Sequence, residues 1–168
     1  TVNKIMPIIK NASSADIPII RELTLATWPQ TYSSIITKEQ INYMLELMYN
    51  PATLQKQMEE EGITFIIVYD NNLPVAFASY NQTEPQLWKL NKIYILPSQQ
   101  GKGIGRFMIN YIVDEIKNQH AKALQLQVNR ENNAKHFYKN LGFSIIKEFD
   151  FDIGNGYFMN DYIMQLTL

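Results

Sequence analysis

Apolar positions along the chain change their spacing several times, and each change marks an element. Lys4 to Ile9 is short and mostly apolar and predicts a first strand. Ile19, Leu23 and Ala26 then fall at helical spacing, predicting an amphipathic helix. Pro18 suits its first turn, with Ser14 or Asp16 as N-cap. Pro29, between Trp28 and Tyr32, predicts a break from Trp28 to Ser34. Thr37-Lys38-Glu39-Gln40 has the form of a capping box, and Ile41, Met44, Leu45 and Met48 continue from it at helical spacing. Asn50-Pro51 opens a further helix to about Glu61, which Gly62 ends.

The second part of the chain switches to the period of strands. Thr64 to Tyr69 and Leu73 to Tyr80 flank the turn Asp70-Asn71-Asn72 and predict a hairpin. Gln86 to Leu96 predicts a longer third strand. Ile104, Phe107, Met108, Ile112 and Ile116 return to one helical face. Leu124, Leu126 and Val128 alternate with Gln125 and Gln127, a half-buried strand whose glutamines are expected to face solvent. Asn132 to Leu141 predicts a short helix stopped by Gly142, and Phe143 to Asp152 and Tyr157 to Leu166 a last hairpin around Gly154-Asn155-Gly156. The order predicts an α+β (α/β) fold in a single domain, residues 1–168: a mixed, mostly antiparallel central sheet flanked by helices.

Composition narrows the function classes. At 168 residues, 46% hydrophobic and 18% charged, the chain has the make-up of a globular domain. A net charge of −1, with no two Lys or Arg residues adjacent, argues against a nucleic-acid surface. The absence of cysteine excludes disulfides, thiolate metal sites and a cysteine nucleophile, and suits a reducing cytoplasm. His120 and His136 stand too far apart to suggest a metal, so none is expected. Thr1 to Ser14 lacks a signal-peptide core and no stretch has membrane-spanning length, so a cytoplasmic location with no membrane partner is expected.

The stretch Gln100-Gly101-Lys102-Gly103-Ile104-Gly105 carries the first chemistry. Glycines at a strand-to-helix junction let the backbone turn tightly and approach a ligand. The opening N–H groups of the following helix, and its dipole, favour an anion there. Lys102 and Arg106 add charge on the same rim. A phosphate or pyrophosphate fits. A dinucleotide fingerprint fails because Arg106 stands where its last glycine should be, and no P-loop sequence occurs.

Gln100, Gly103 and Gly105 fit the pattern Gln/Arg-x-x-Gly-x-Gly, which resembles the acetyl-CoA pyrophosphate loop of the GNAT superfamily of N-acetyltransferases. A second block, Asn132-Asn133-Ala134 through Phe137-Tyr138 to Leu141-Gly142-Phe143, resembles that family's second signature. The resemblance implies that Gln100, Gly101, Lys102, Gly103, Ile104, Gly105 and Arg106 hold acetyl-CoA, together with Asn132 and Ala134. It implies that the main chain of Ile93, Tyr94 and Ile95 binds the pantetheine and acetyl carbonyl on a splayed strand, and that Tyr138 is the general acid. Many relatives place the Asn one position further from the Tyr, where this chain has Glu131. They also carry a carboxylate on the strand before the loop, whereas this chain has no Asp or Glu between Glu84 and Gly101, so no base is assigned.

The segment Trp28-Pro29-Gln30-Thr31-Tyr32, with Glu39 to Tyr49 and the ending Asp150 to Tyr162, is similar to bacterial polyamine acetyltransferases of the PaiA type. That similarity implies a spermidine or spermine acceptor, with Tyr32 as a substrate-binding candidate and Glu22, Glu39, Asp150, Asp152 and Asp161 available for its charges. A protein N-terminus, a lysine side chain or another small amine is the alternative acceptor. Another acyl donor, a hydroxyl acceptor or a non-catalytic CoA sensor are the alternative functions. Trp28 and Tyr49 are expected mainly to pack, and His136 to be exposed. The apolar hairpin edge of Phe149, Phe151, Tyr157 and Phe158 makes a homodimer an expectation.

Overall fold

The computed structural model describes residues 6–168, so Lys4 and Ile5 of the expected first strand lie outside the described residues. The strand that forms, β1, is Ile8–Asn11. It runs past the expected end at Ile9, through Asn11, because its pairing continues to Asn11↔Ile66. Three helices follow, α1 (Ile17–Tyr32), α2 (Lys38–Tyr49) and α3 (Pro51–Glu59). The meander β2 (Thr64–Asp70), β3 (Leu73–Glu84) and β4 (Leu87–Ile95) leads into α4 (Ile104–Lys117). The chain ends with β5 (Ala123–Asn129), α5 (Ala134–Asn140), β6 (Ser144–Gly154) and β7 (Tyr157–Thr167).

The seven strands form one sheet in the order β1-β2-β3-β4-β5-β7-β6. Among the described residues only β4 and β5 pair in parallel, as a helical crossover through α4 requires. Successive residues of β2 serve opposite faces. Ile66 and Val68 pack with Met108, Ile112 and Ile116 of α4, while Phe65 and Ile67 pack with Ile20, Trp28 and Leu54 of the N-terminal helices. The expected mixed, mostly antiparallel sheet flanked by helices is therefore present.

The break expected at Trp28 does not occur, because α1 continues through Pro29 to Tyr32. A proline inside a helix costs about 3 kcal/mol. Burial of Trp28, 2% exposed, is worth a comparable amount on the scale of large-to-small core substitutions, and its ring packs 4.7 Å from Tyr32 and 5.4 Å from Tyr49. The inward face is Ile20, Leu23, Thr24, Thr27 and Trp28, with Ala26 outside. The hydroxyls of Thr24 and Thr27 donate to the carbonyls of Ile20 and Leu23, so these buried polar groups are satisfied.

Helix α2 keeps half of its expected capping box. Thr37 Oγ1 accepts from the Gln40 N–H at 3.1 Å, but the Gln40 side chain donates to the Phe158 carbonyl at 2.9 Å. Together with Tyr43, whose hydroxyl donates to the Ile153 carbonyl at 2.7 Å, it ties α2 to the C-terminal hairpin. Asn50 caps α3 as expected, its Oδ1 accepting from the Thr53 N–H at 2.8 Å.

Candidate active site

The site begins where two neighbouring strands part. The parallel ladder between β4 and β5 ends at Leu90↔Leu126. Beyond it β5 stays with β7 to Asn129, while β4 stays with β3 to Ile95. Ser79 pairs with Lys92 and Tyr80 with Leu90, so Asn91 is the extra residue of a bulge at the point of divergence. The β4 edge from Asn91 to Ile95 therefore has no strand partner and lines a cleft of about 730 Å³. Ile93, Tyr94 and Ile95 lie along this edge.

The glycine loop closes the cleft at the end of β4. Gly103 is the N-cap of α4 with φ +81°, a conformation that favours glycine, and the space a Cβ would take there is open. Phe107 is the first residue of α4 whose N–H reaches back into the helix, to the Gly103 carbonyl at 3.0 Å. The N–H groups before it form the positive end of a fourteen-residue helix. Gln100 Nε2 donates to the Ile95 carbonyl at 3.3 Å and joins the loop to the strand. Gly105 lines the cleft and also serves packing, since an added Cβ would stand 2.8 Å from Phe137 Cζ and 3.3 Å from Ile95 Cδ1. Gln100, Gly101, Ile104 and Arg106 also line the cleft. Lys102 does not: it is exposed, and its Nζ donates to Gln99 Oε1 at 3.4 Å, the ordinary place of a solvated lysine.

The opposite wall comes from α5 and the turn before it. Asn132 lies ahead of α5, which starts only at Ala134, and its Oδ1 accepts the Ala134 N–H at 2.9 Å. Both residues line the cleft. Tyr138 lies in α5, its ring fixed between Phe137 and Phe143 with centroids 5.3 and 5.7 Å away. Burial, helped by nearby Tyr32, pushes the Tyr138 phenol well above its ordinary range, so it keeps its proton at any physiological pH. Tyr32, the last residue of α1, shares a hydrogen bond with Tyr94 between their hydroxyls at 3.1 Å. His136 is exposed, as expected.

A second cavity of about 120 Å³ adjoins the first, and Tyr32, Asn91, Lys92, Tyr94 and Gln127 line both. Its remaining wall is aromatic and sulfur-rich, with Trp28, Tyr49, Phe158, Met44, Met48 and Met159, and it contains one carboxylate, Asp161 of β7. Trp28 and Tyr49 therefore both pack and face the cavity. Asp161 is 3% exposed and forms none of the ion pairs among the described residues. Burial raises its carboxyl to about 6, against the opposing pull of Arg130 and Lys89. The other candidate carboxylates do not join it. Glu22 and Glu39 are exposed on their helices, Asp150 binds Arg130, and Asp152 Oδ1 accepts the Gly154 N–H at 2.9 Å.

Three residues of this region carry more than the sequence suggested. Gln127 was expected on a solvent face, but it lines both cavities and accepts Lys89 Nζ at 2.8 Å. Lys92, brought inward beside the bulge, is lowered to about 8 by burial and by Lys89. Its Nζ sits 5.1 Å over the Tyr49 ring and 3.2 Å from Gln57 Oε1. Asp161 had a legible signal: Met159, Asp161 and Ile163 share one face of a strand, and a charge there interrupts an inward apolar row. Among the described residues no cluster of three or more metal-ligating side chains occurs, and no helix is long and apolar enough to cross a membrane.

Residues 33–153 match the family described as an acetyltransferase (GNAT) domain. The chain belongs to this family. A ribosomal-protein alanine N-acetyltransferase of Haemophilus influenzae is 29% identical over 93 residues, 55% of this chain and 62% of that protein. An uncharacterised N-acetyltransferase of Methanocaldococcus jannaschii is 30% identical over 92 residues, 51% of this chain and 40% of that protein. The chain thus spans less than two thirds of the length of these curated relatives. Among solved structures, the PaiA N-acetyltransferase from Thermoplasma acidophilum in complex with coenzyme A superposes with a TM-score of 0.83 at 20% identity, covering 98% of this chain and all of that one. The ribosomal-protein alanine N-acetyltransferase from Escherichia coli gives a TM-score of 0.72 at 20% identity, covering 96% and 94%. Both share the fold described here: the mixed, mostly antiparallel sheet flanked by helices is the GNAT fold.

Proposed function

We propose that the chain transfers the acetyl group of acetyl-CoA to a primary amine by direct attack of the amine on the thioester. The observation that carries this reading is the end of the β4–β5 ladder at Leu90↔Leu126, which opens a cleft between the N-terminus of α4 and the Tyr138 side chain. The N–H groups around Gly103, Ile104 and Gly105 hold the pyrophosphate, with Arg106 on the rim. The unpaired β4 edge at Ile93, Tyr94 and Ile95 binds the pantetheine arm, and Asn132 and Ala134 border it on the other side. Main-chain N–H groups there stabilise the oxyanion without reorganising. As the C–S bond breaks, the Tyr138 hydroxyl donates its proton to the departing thiolate.

The acceptor reaches the thioester through the smaller cavity, with Tyr32 at the junction. Its aromatic walls and single carboxylate suit an acceptor with one ammonium near the reacting end. Spermidine and spermine lead, supported by the sequence likeness to PaiA-type enzymes and the superposition on a PaiA structure. The second reading is the N-terminal amine of a protein, favoured by the similarity to a ribosomal-protein alanine N-acetyltransferase. The test is thiol release from acetyl-CoA across spermidine, spermine, a peptide with a free N-terminal alanine and a lysine peptide. Turnover above the no-amine rate supports the transferase and names the acceptor. Tight CoA binding with no turnover on any amine contradicts it and leaves a CoA-binding role.

A further inference from the structure

Proton removal from the acceptor has no group assigned to it. An amine of ordinary basicity arrives as an ammonium and must lose a proton before it can attack, yet β4 carries no carboxylate before the glycine loop. The described residues place a carboxylate elsewhere on the wall of the acceptor cavity, on β7. We propose that Asp161 takes this proton. The inference rests on the acetyl-transfer reading above and deepens it.

The geometry supports it in three ways. Asp161 faces the smaller cavity from a strand that pairs with β5, Asp161↔Asn129, so it is held by the strand that forms one side of the splay. Among the described residues it has no ion-pair partner, although two cations lie near enough to influence it. The Lys89 ammonium donates to Gln127, and the Arg130 guanidinium is taken by Glu148 and Asp150. A buried carboxylate without a partner is costly unless a ligand supplies one. Finally, Tyr32 lines both cavities, the larger one together with Tyr138 and the smaller one together with Asp161, so the proton acceptor and the proton donor face adjoining parts of one cleft.

The remaining groups around Asp161 do not compete for this role. Tyr32 of α1, Tyr49 of α2 and Tyr94 of β4 are pushed up by burial and stay protonated. Lys92 of β4 is drawn toward Gln57 and Tyr49, α2 offers the amide of Gln40, and β6 places Phe149 opposite. The proton balance closes. Asp161 accepts one proton from the ammonium, and the freed amine forms the C–N bond. The C–S bond breaks, and Tyr138 protonates the sulfur. The new amide nitrogen gives up its surplus proton, which restores the Tyr138 phenol, and Asp161 releases its own proton to solvent. One proton leaves per turnover.

The test is the pH profile of kcat/KM for the acceptor in the wild-type chain and in Asp161→Asn, which keeps the shape of the side chain. With Asp161 as acceptor, the wild-type profile rises through an acid limb near pH 6 and then holds until the amine itself titrates. Asp161→Asn can use only amine that is already neutral, about one part in 10³ at pH 7 for an amine of pKa about 10. Its activity should fall roughly 10²- to 10³-fold at pH 7, lack the acid limb, and recover about tenfold per pH unit toward the wild-type value near pH 10. Acetyl-CoA affinity by calorimetry should be unchanged, which separates this from misfolding. An equal loss at pH 7 and pH 10, or an acid limb that survives in the variant, overturns the inference while leaving acetyl transfer intact. A wild-type chain that acetylates no amine overturns both.

Discussion

Removing one oxygen from Tyr138 tests the proposed chemistry with little disturbance of the fold. In Tyr138→Phe the ring keeps its contacts with Phe137 and Phe143, 5.3 and 5.7 Å between centroids. Only the hydroxyl is lost, worth about 1 kcal/mol or less in stability, or a few degrees in Tm for a chain of this size. Catalysis should suffer far more. Proton donation by a positioned acid contributes about 10²- to 10⁴-fold, so kcat should fall by at least about 10²-fold. The dissociation constant for CoA should stay within about twofold. The phenol's pKa lies above its ordinary value because the ring is buried, so its charged form is the disfavoured one. Tyr138 therefore remains a donor up to that raised pKa, and the wild-type kcat should show no alkaline limb from this group below about pH 10. The assay is thiol release in steady state and in a single turnover, so that chemistry is separated from product release. A single-turnover rate in Tyr138→Phe within about threefold of wild type would refute the assignment.

Further substitutions test the surrounding parts. Gly103→Val places a β-branched residue at φ +81° and puts its side chain where the backbone must meet the pyrophosphate; CoA affinity measured by calorimetry should fall at least about tenfold. Lys92→Met removes a buried ammonium lowered to about 8 from an ordinary 10.5, so below pH 8 the variant should be more stable by up to about 3 kcal/mol. That gain should shrink between pH 8 and 10.5, where the wild-type folded chain releases its proton more readily than the unfolded chain, and denaturant titration at two pH values reads it. Asp161→Asn has the opposite pH signature. The folded carboxyl holds its proton up to about 6, so wild-type stability falls between pH 4 and 6. The variant should therefore match wild type at pH 4 and exceed it at pH 8 by about 1–3 kcal/mol, read as Tm.

Much of the fold was legible because period and turn chemistry agree with it. The Asn50 cap, the Asp70-Asn71-Asn72 turn and the hairpin around Asn155 are local features that no long-range contact overrides. Pro29 misled because its cost is local while the burial of Trp28 depends on Tyr49 and Tyr94, distant in sequence. Two walls of the larger cleft could be read from the glycine loop and the Tyr138 block, since both are contiguous. Lys102 points to solvent and donates to Gln99 rather than lining the cleft, because charge beside a loop does not say which way the side chain points. The smaller cavity is assembled from α1, α2, β4, β5 and β7, and no contiguous pattern records that convergence. Of five carboxylates set aside for it, only Asp161 arrives, because the hairpin turns Asp150 to its other face, toward Arg130.

The most direct test of the central claim is a crystal structure of the chain with coenzyme A bound. The account predicts the pyrophosphate against the main-chain N–H groups around Gly103 to Gly105, the pantetheine arm along the β4 edge at Ile93 to Ile95, and the sulfur within hydrogen-bonding distance of the Tyr138 hydroxyl. Coenzyme A bound away from the β4–β5 splay, or with its sulfur out of reach of Tyr138, would contradict it.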